Sequence, residues 1–146
     1  MSGHILMVCT GNVCRSPIAA ALLIQSMPGV ATLSAGTHAL VGRGADPLAM
    51  ALMQERGIDL SAHVATALSD AHVRNANLIL AMTRAHLTWL KTLYPEVKER
   101  VHLLCENDDT DVVDPYRRTR FTFELATSQI EHGLSHWLDA IRTLSA

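Results

Sequence analysis

This sequence is poor in aromatic side chains, in net charge and in cysteine. Aromatics make up 4% of the 146 residues: two each of Phe, Trp and Tyr. Any core must therefore be filled with Leu, Ile, Val, Met and Ala. The three cysteines are too few and too unevenly spaced for a disulfide framework, which points to a reduced, cytoplasmic protein. A net charge of −2 gives bulk electrostatics no pull on nucleic acid. No apolar run has the length to span a bilayer, and the N-terminus lacks the charged start and apolar stretch of a secretory signal, so no membrane insertion is expected. Internal repeats and low-complexity tracts are absent too. What the chain does have is apolar content, 49% of its residues, in a length that suits one domain over residues 1–146 with a real core.

Strand and helix signals alternate. His4 to Val8 reads as a buried strand, and a helical pattern runs from Ile18 to Met27. Ser16 is placed to cap that helix, Pro17 fits its first turn, and Pro28-Gly29 stops it. Ala31 to Ala35 reads as a second strand. Asp46-Pro47 repeats the cap-plus-proline signal, with Gly57 closing the helix that follows. Ser69 marks the cap of a short helix. Leu78 to Met82 is the clearest central strand, Thr83 caps a helix ending near Tyr94-Pro95, and Val101 to Leu104 is a fourth strand. Cys105 to Arg118 reads as a polar loop. From Thr119 to Leu144, Phe123, Ala126, Ile130, Leu134, Trp137 and Ile141 fall on one helical face. Gly133 within it costs about 1 kcal/mol against alanine and marks a close contact. Such alternation implies a parallel α/β sheet, with the ligand beyond the carboxyl ends of the strands.

The first strand runs into Cys9-Thr10-Gly11-Asn12-Val13-Cys14-Arg15-Ser16-Pro17, a strand–loop–helix junction. Such a loop gathers backbone N–H groups at the positive end of a helix dipole and holds an oxyanion such as phosphate. A thiolate at its floor is a nucleophile. A guanidinium at its rim clamps phosphate oxygens in pairs. Alone, Cys9 reads as a buried structural cysteine. Arg15 six residues on, Gly11 allowing a tight turn and Ser16 at the helix start reverse that reading. Arg15 opposes the helix dipole unless an anion lies between them. The segment is not a Walker loop, having neither the second glycine nor the Lys-Ser/Thr pair, and the cysteine spacing does not suit zinc.

In-line displacement at phosphorus also needs an acid for the leaving oxygen. Asp114, in Asp114-Pro115-Tyr116, is the best placed, although Asp-Pro is also an ordinary turn dipeptide. Glu106, Asp108, Asp109 and Asp111 compete for the role and read more simply as a solvated acidic loop. His132 and His136, four apart, read as an exposed helix face rather than a metal pair. No metal and no cofactor are expected.

These residues resemble the low-molecular-weight protein-tyrosine phosphatases along nearly the whole chain: the Cys9–Pro17 loop, Ser34-Ala35-Gly36-Thr37, Asp46-Pro47 and Asp114-Pro115-Tyr116. Ala39-Leu40-Val41-Gly42, Gly44-Ala45-Asp46-Pro47 and Asp114-Pro115-Tyr116-Arg117 are most similar to the bacterial branch tied to capsule and exopolysaccharide synthesis. The resemblance implies a three-layer, flavodoxin-like fold, with a four-stranded parallel sheet in the order 2-1-3-4 and helices on both faces. It implies that Cys9 attacks phosphotyrosine, that Arg15 and the loop of Thr10, Gly11, Asn12, Val13, Cys14 and Ser16 bind the phosphoryl group, and that Asp114 serves as acid and then base. It places Ser34 and His63 in a polar hub with Asn12 and Ser16, and Leu40 and Tyr116 as pocket walls. The implied substrate is a phosphotyrosine protein, the cytoplasmic tail of a membrane-bound bacterial tyrosine kinase, met by a monomeric enzyme. Arg117 stands where eukaryotic relatives carry a second tyrosine, which makes the mouth less aromatic. Arg43, Arg117, Arg118 and Arg120 read equally as surface arginines or as an attraction for acidic phosphopeptides. Cys14 lies near enough to Cys9 for a reversible disulfide under oxidation.

Two rivals share the loop. An arsenate reductase would need two relay cysteines besides Cys9, and only Cys105 stands outside the loop. A non-catalytic phosphotyrosine-binding module would keep Arg15 but need neither Cys9 nor Asp114.

Overall fold

The computed structural model describes residues 3–144; the two residues at either end of the expected 1–146 unit lie outside them. The elements are β1 (His4–Cys9), α1 (Arg15–Ser26), β2 (Thr32–Gly36), α2 (Pro47–Glu55), α3 (Asp70–Asn75), β3 (Ala76–Ala81), α4 (Arg84–Leu93), β4 (Val101–Leu103) and α5 (Arg120–Leu144). Short 3-10 turns occupy Pro95–Arg100 and Glu106–Asp108. The four strands form one parallel sheet in the order β2-β1-β3-β4. This is the expected α/β architecture.

β1 alternates between two apolar layers, as a strand buried on both faces must. Ile5, Met7 and Cys9 face α1, α2 and α5. Leu6 and Val8 face the side of Val73 and Leu90, from α3 and α4. α5 buries Phe123, Ala126, Thr127, Ile130, Gly133, Leu134 and Ile141, and the half-buried Trp137 donates its indole N–H to the Leu104 carbonyl at 2.8 Å. A Cβ on Gly133 would stand 3.0 Å from Cys105 Sγ and 3.1 Å from the Leu104 carbonyl oxygen. That is the close approach of α5 to the end of β4.

Several boundaries move by one or two residues. β3 starts at Ala76 rather than Leu78, β2 ends at Gly36 rather than Ala35, and α5 starts at Arg120. The Cys105–Arg118 segment is not all loop, since Glu106–Asp108 makes a turn of 3-10 helix. Asp46 caps α2 by accepting from the Leu48 N–H at 2.9 Å, with Pro47 in the first turn. Gly57, at φ +75, closes α2 with paired bonds from Gly57 to Gln54 and from Ile58 to Met53, the Schellman pattern. Ser16 is the substantive correction. α1 begins at Arg15 with Cys14 in the cap position, and no side chain caps it.

The chain reverses direction across the sheet between β1 and β3, so a crevice opens at their carboxyl ends. β1 delivers Cys9 there, and Cys9 pairs with Gly36 of β2. Gly36 passes directly beneath the loop: a Cβ on it would lie 2.4 Å from the Thr10 carbonyl oxygen. Gly36→Ala is therefore expected to cost about 1–3 kcal/mol of stability, as overpacking against fixed backbone does. Gly29→Ala, whose Cβ would meet nothing within 4 Å, should be near neutral. Denaturant unfolding of the two variants checks this, and equal stabilities would contradict it.

Candidate active site

The segment from Cys9 to Cys14 turns its carbonyls outward, and each finds a donor. Thr37 N–H reaches Cys9 O at 2.9 Å, His38 N–H reaches Thr10 O at 2.9 Å, and Leu40 N–H reaches Gly11 O at 3.0 Å. His63 Nε2 donates to Asn12 O at 2.7 Å, while Asp46 N–H reaches Val13 O at 2.9 Å and Ile18 N–H reaches Cys14 O at 3.2 Å. With the carbonyls held outside, the inner face is left to N–H groups, which suits an anion. The loop's left-handed residue is Asn12, at φ 58, not Gly11. Asparagine tolerates that conformation better than most side chains.

Asn12 is also the hub. Its side-chain amide donates to Ser16 Oγ at 2.8 Å and Ser34 Oγ at 2.9 Å, and its side-chain oxygen accepts from the Thr66 N–H at 2.8 Å. Ser16 Oγ in turn lies 2.8 Å from Cys9 Sγ, and the Asn12 N–H donates to the same sulfur at 3.3 Å. Ser16 lies inside the first turn of α1, and its hydroxyl is shared between the thiol and the Asn12 amide. Cys9, 2% exposed, carries its sulfur at the pocket floor with two donors available to a thiolate.

Arg15 is buried. Its Nη1 donates to Val112 O at 3.2 Å, and its Nη2 lies 3.7 Å from Asp114 Oδ2. The Val112 N–H meanwhile bonds Met82 O, just beyond β3, at 2.9 Å, and Val113 N–H bonds Gln129 Oε1 of α5 at 2.8 Å. The loop before α5 is thereby folded back over the strand ends. Asp114 is largely exposed, and its Oδ1 accepts from the Tyr116 N–H at 3.1 Å. Arg117, in the left-handed region at φ 61, sets its guanidinium 5.4 Å from the centre of the Tyr116 ring.

Cys9, Thr10, Gly11, Val13, Cys14, Arg15, Leu40, Asp114 and Tyr116 line one open-mouthed pocket of about 130 Å3. Asn12, Ser16, Ser34 and His63 stand behind it. Of the competing carboxylates, Asp109 and Asp111 bind Arg84, Asp108 pairs with His132, and Glu106 pairs with His102. All four have partners elsewhere. Among the described residues no cluster of His, Cys, Asp and Glu is placed to hold a metal ion. Cys14 is a free, buried thiol in the loop; burial, and Asp46 after it, push it well above the ordinary range, so it is protonated.

Sequence reasoning missed His38, which lines the pocket and stands tilted to Trp89. It missed His86 as well, whose ring touches Thr10 from behind. It also missed the backbone partners of Val112 and Thr66, for which the sequence carries no signal.

Residues 4–145 match the family described as low molecular weight phosphotyrosine protein phosphatase. The chain belongs to that family. It is 44% identical over 140 residues to the "Probable low molecular weight protein-tyrosine-phosphatase EpsP" of Ralstonia nicotianae, covering 96% of this chain and 97% of that one. Vibrio vulnificus Wzb, solved in complex with benzylphosphonate, superposes with a TM-score of 0.88 at 31% identity, over 94% of this chain and 97% of that one. The YwlE arginine phosphatase of Geobacillus stearothermophilus superposes equally well, with a TM-score of 0.88 at 34% identity, over 97% and 94% of the two chains. Family and fold are therefore shared by enzymes named for two different phosphoamino acids.

His86 carries a consequence for acid stability. Burial first, and the Arg15 charge second, push its ring from the ordinary 6.5 down to about 4. The unfolded chain then holds more protons between those values. The contribution is intact above about pH 6.5, is lost as pH falls toward 4, and levels off below that. Unfolding of wild type and His86→Gln across pH 7.5 to 4 should show wild type losing its advantage in that window. Parallel curves would rule this out.

Proposed function

We propose that this phosphatase hydrolyses phosphotyrosine through a phospho-cysteine. Cys9 Sγ attacks phosphorus and the tyrosyl oxygen leaves, taking the proton of Asp114. Arg15 and the loop N–H groups hold the three phosphoryl oxygens, whose charge grows in the transition state. Asp114, now a carboxylate, takes a proton from water, and the hydroxide portion displaces Cys9 from phosphorus to give inorganic phosphate. The observation that carries this reading is the shared pocket, with the Cys9 sulfur at its floor, Arg15 in its wall and Asp114 at 3.7 Å from Arg15 on the rim. The 3.7 Å spacing leaves Arg15 free to pair with an incoming phosphoryl group.

The substrate side favours tyrosine over arginine. Val13, Leu40 and Tyr116 supply apolar and aromatic walls, which suit a phenyl ring. A guanidinium leaving group would ask for further acceptors along that wall. The Wzb structure with benzylphosphonate, a ring joined to a phosphonate, supports the same shape. The arsenate reductase reading loses ground, because Cys105 is absent from the pocket lining and its sulfur donates to the Gln129 carbonyl at 3.4 Å. A binding module would have no use for the donors gathered on Cys9 Sγ.

The physiological substrate we propose is the tyrosine-phosphorylated cytoplasmic tail of a membrane-bound kinase in exopolysaccharide synthesis, met by a monomeric cytoplasmic enzyme. The resemblance to the exopolysaccharide branch supports it. None of the described helices is long and apolar enough to cross a membrane.

Hydrolysis of an aryl phosphate by wild type, Cys9→Ser and Asp114→Asn tests the chemistry, and phosphoarginine in parallel tests the specificity. Cys9→Ser should be inactive. Asp114→Asn should lose about 10²–10⁴-fold in kcat, the usual worth of general acid catalysis, while binding phosphate as before. An active Cys9→Ser, or a preference for phosphoarginine, would sink the reading.

A further inference from the structure

Thr10 follows Cys9 in the loop and lines the pocket. Behind it stands the buried ring of His86, in the first turn of α4. Nε2 of that ring lies 2.8 Å from Thr10 Oγ1, and Nδ1 lies 2.9 Å from Thr83 Oγ1. Thr83, ring and Thr10 form a chain of three polar groups ending at the pocket wall.

One proton arrangement gives every donor in this chain its own acceptor up to Thr10. Thr83 Oγ1 accepts the backbone N–H of His86 at 3.3 Å, as the cap of α4. Its own proton is then free for Nδ1. With the Thr83 proton given to Nδ1, Nε2 carries the single ring proton and donates it to Thr10 Oγ1. The Thr10 hydroxyl proton is left without an acceptor among the described residues, beside a pocket built for oxygen anions. The opposite tautomer would set two donors on Thr83 Oγ1 and spend the Thr10 proton on the ring. The charged or titratable groups acting on the ring are Arg15, Asp111, Asp114 and His38. Burial and the Arg15 cation hold it neutral, which the chain requires, because a neutral imidazole can accept at one nitrogen while donating at the other.

We propose that His86 is a positioning residue of the phosphate site: it acts through Thr10, whose hydroxyl proton it aims at an oxygen acceptor in the pocket. The proposal rests on the phosphatase reading of that pocket. It adds a donor that depends on a side chain of α4, outside the loop, and gives the cap residue Thr83 a part in substrate binding.

Aryl phosphate kinetics and calorimetric titration with inorganic phosphate are measured for wild type, Thr10→Val, His86→Leu, the double variant and His86→Gln. Thr10→Val and His86→Leu should each lower kcat/KM and phosphate affinity by about tenfold, the size of one hydrogen bond to a charged group. The double variant should lose no more than either single one, because both break the same chain. His86→Gln, whose amide can stand where Nε2 stood, should keep most of the activity. Unchanged Thr10→Val, or losses that multiply in the double variant, would overturn the proposal. Nitrogen NMR of the wild-type ring gives a readout that a folding defect cannot imitate: the Nε2–H tautomer is expected with phosphate bound, and the Nδ1–H tautomer would be fatal. A wild type inert toward aryl phosphate would end the phosphatase reading, while phosphate titration and the ring tautomer would still decide the role of His86.

Discussion

Six consecutive loop carbonyls held from outside are the constraint on which this site depends. Peptide groups are dipoles, and a loop that binds an anion must keep its oxygen ends away from it. Here the turning is done by donors from four places: the segment after β2, the start of α2, the His63 loop and α1 itself. An isolated nine-residue loop would have no reason to adopt this shape. The left-handed Asn12 is its most demanding position, and there the side chain contributes as well, binding Ser16, Ser34 and the Thr66 amide. Thiol and hub share one hydroxyl, because Ser16 Oγ contacts both Cys9 Sγ and the Asn12 amide. Disturbing the hub therefore disturbs the electrostatics at sulfur.

The sheet order explains why two distant parts of the chain meet. β1 and β3 lie side by side at the point where the connections diverge, and each delivers a segment to the same crevice. β1 supplies the loop. The backbone just beyond β3, at Met82, receives the Val112 amide, and Val112 hands its carbonyl to Arg15. The loop before α5 is positioned through backbone groups and the buried Arg15 guanidinium, which together bring Asp114 and Tyr116 to the rim.

Much of this was legible in the sequence, because the signals were chemical as well as periodic. Cys9, Arg15 and the strand-to-helix switch pointed to an oxyanion site, and the family likeness supplied the order of the strands and, of the Asn12 partners, Ser16, Ser34 and His63. Ser16 misled for an identifiable reason. A serine before a proline at a helix start looks like a cap, yet the helix already begins at Arg15, which puts Ser16 in its first turn with its hydroxyl on the Cys9 thiol and the Asn12 amide. His86 was hidden by a similar ambiguity. Thr83-x-x-His86 and Ser69-x-x-His72 have the same spacing, but the His72 ring closes back on its own helix end, accepting the Ser69 N–H, whereas the His86 ring bridges to another element. Spacing along a helix cannot tell those apart, since the difference lies in what packs against it. The Val112 carbonyl was invisible, as any residue could have supplied it.

The bond from Arg15 to Val112 joins residues 97 apart in sequence. That separation has a consequence for the newborn chain. Synthesis runs from the N-terminus, so the thiol and its loop are made before the segment that steadies the guanidinium and carries Asp114. Contacts so far apart along the chain form late. The Cys9 loop is thus synthesised before the segment that completes the pocket, and Arg15 gains its Val112 partner only after β2, β3 and β4 have been made.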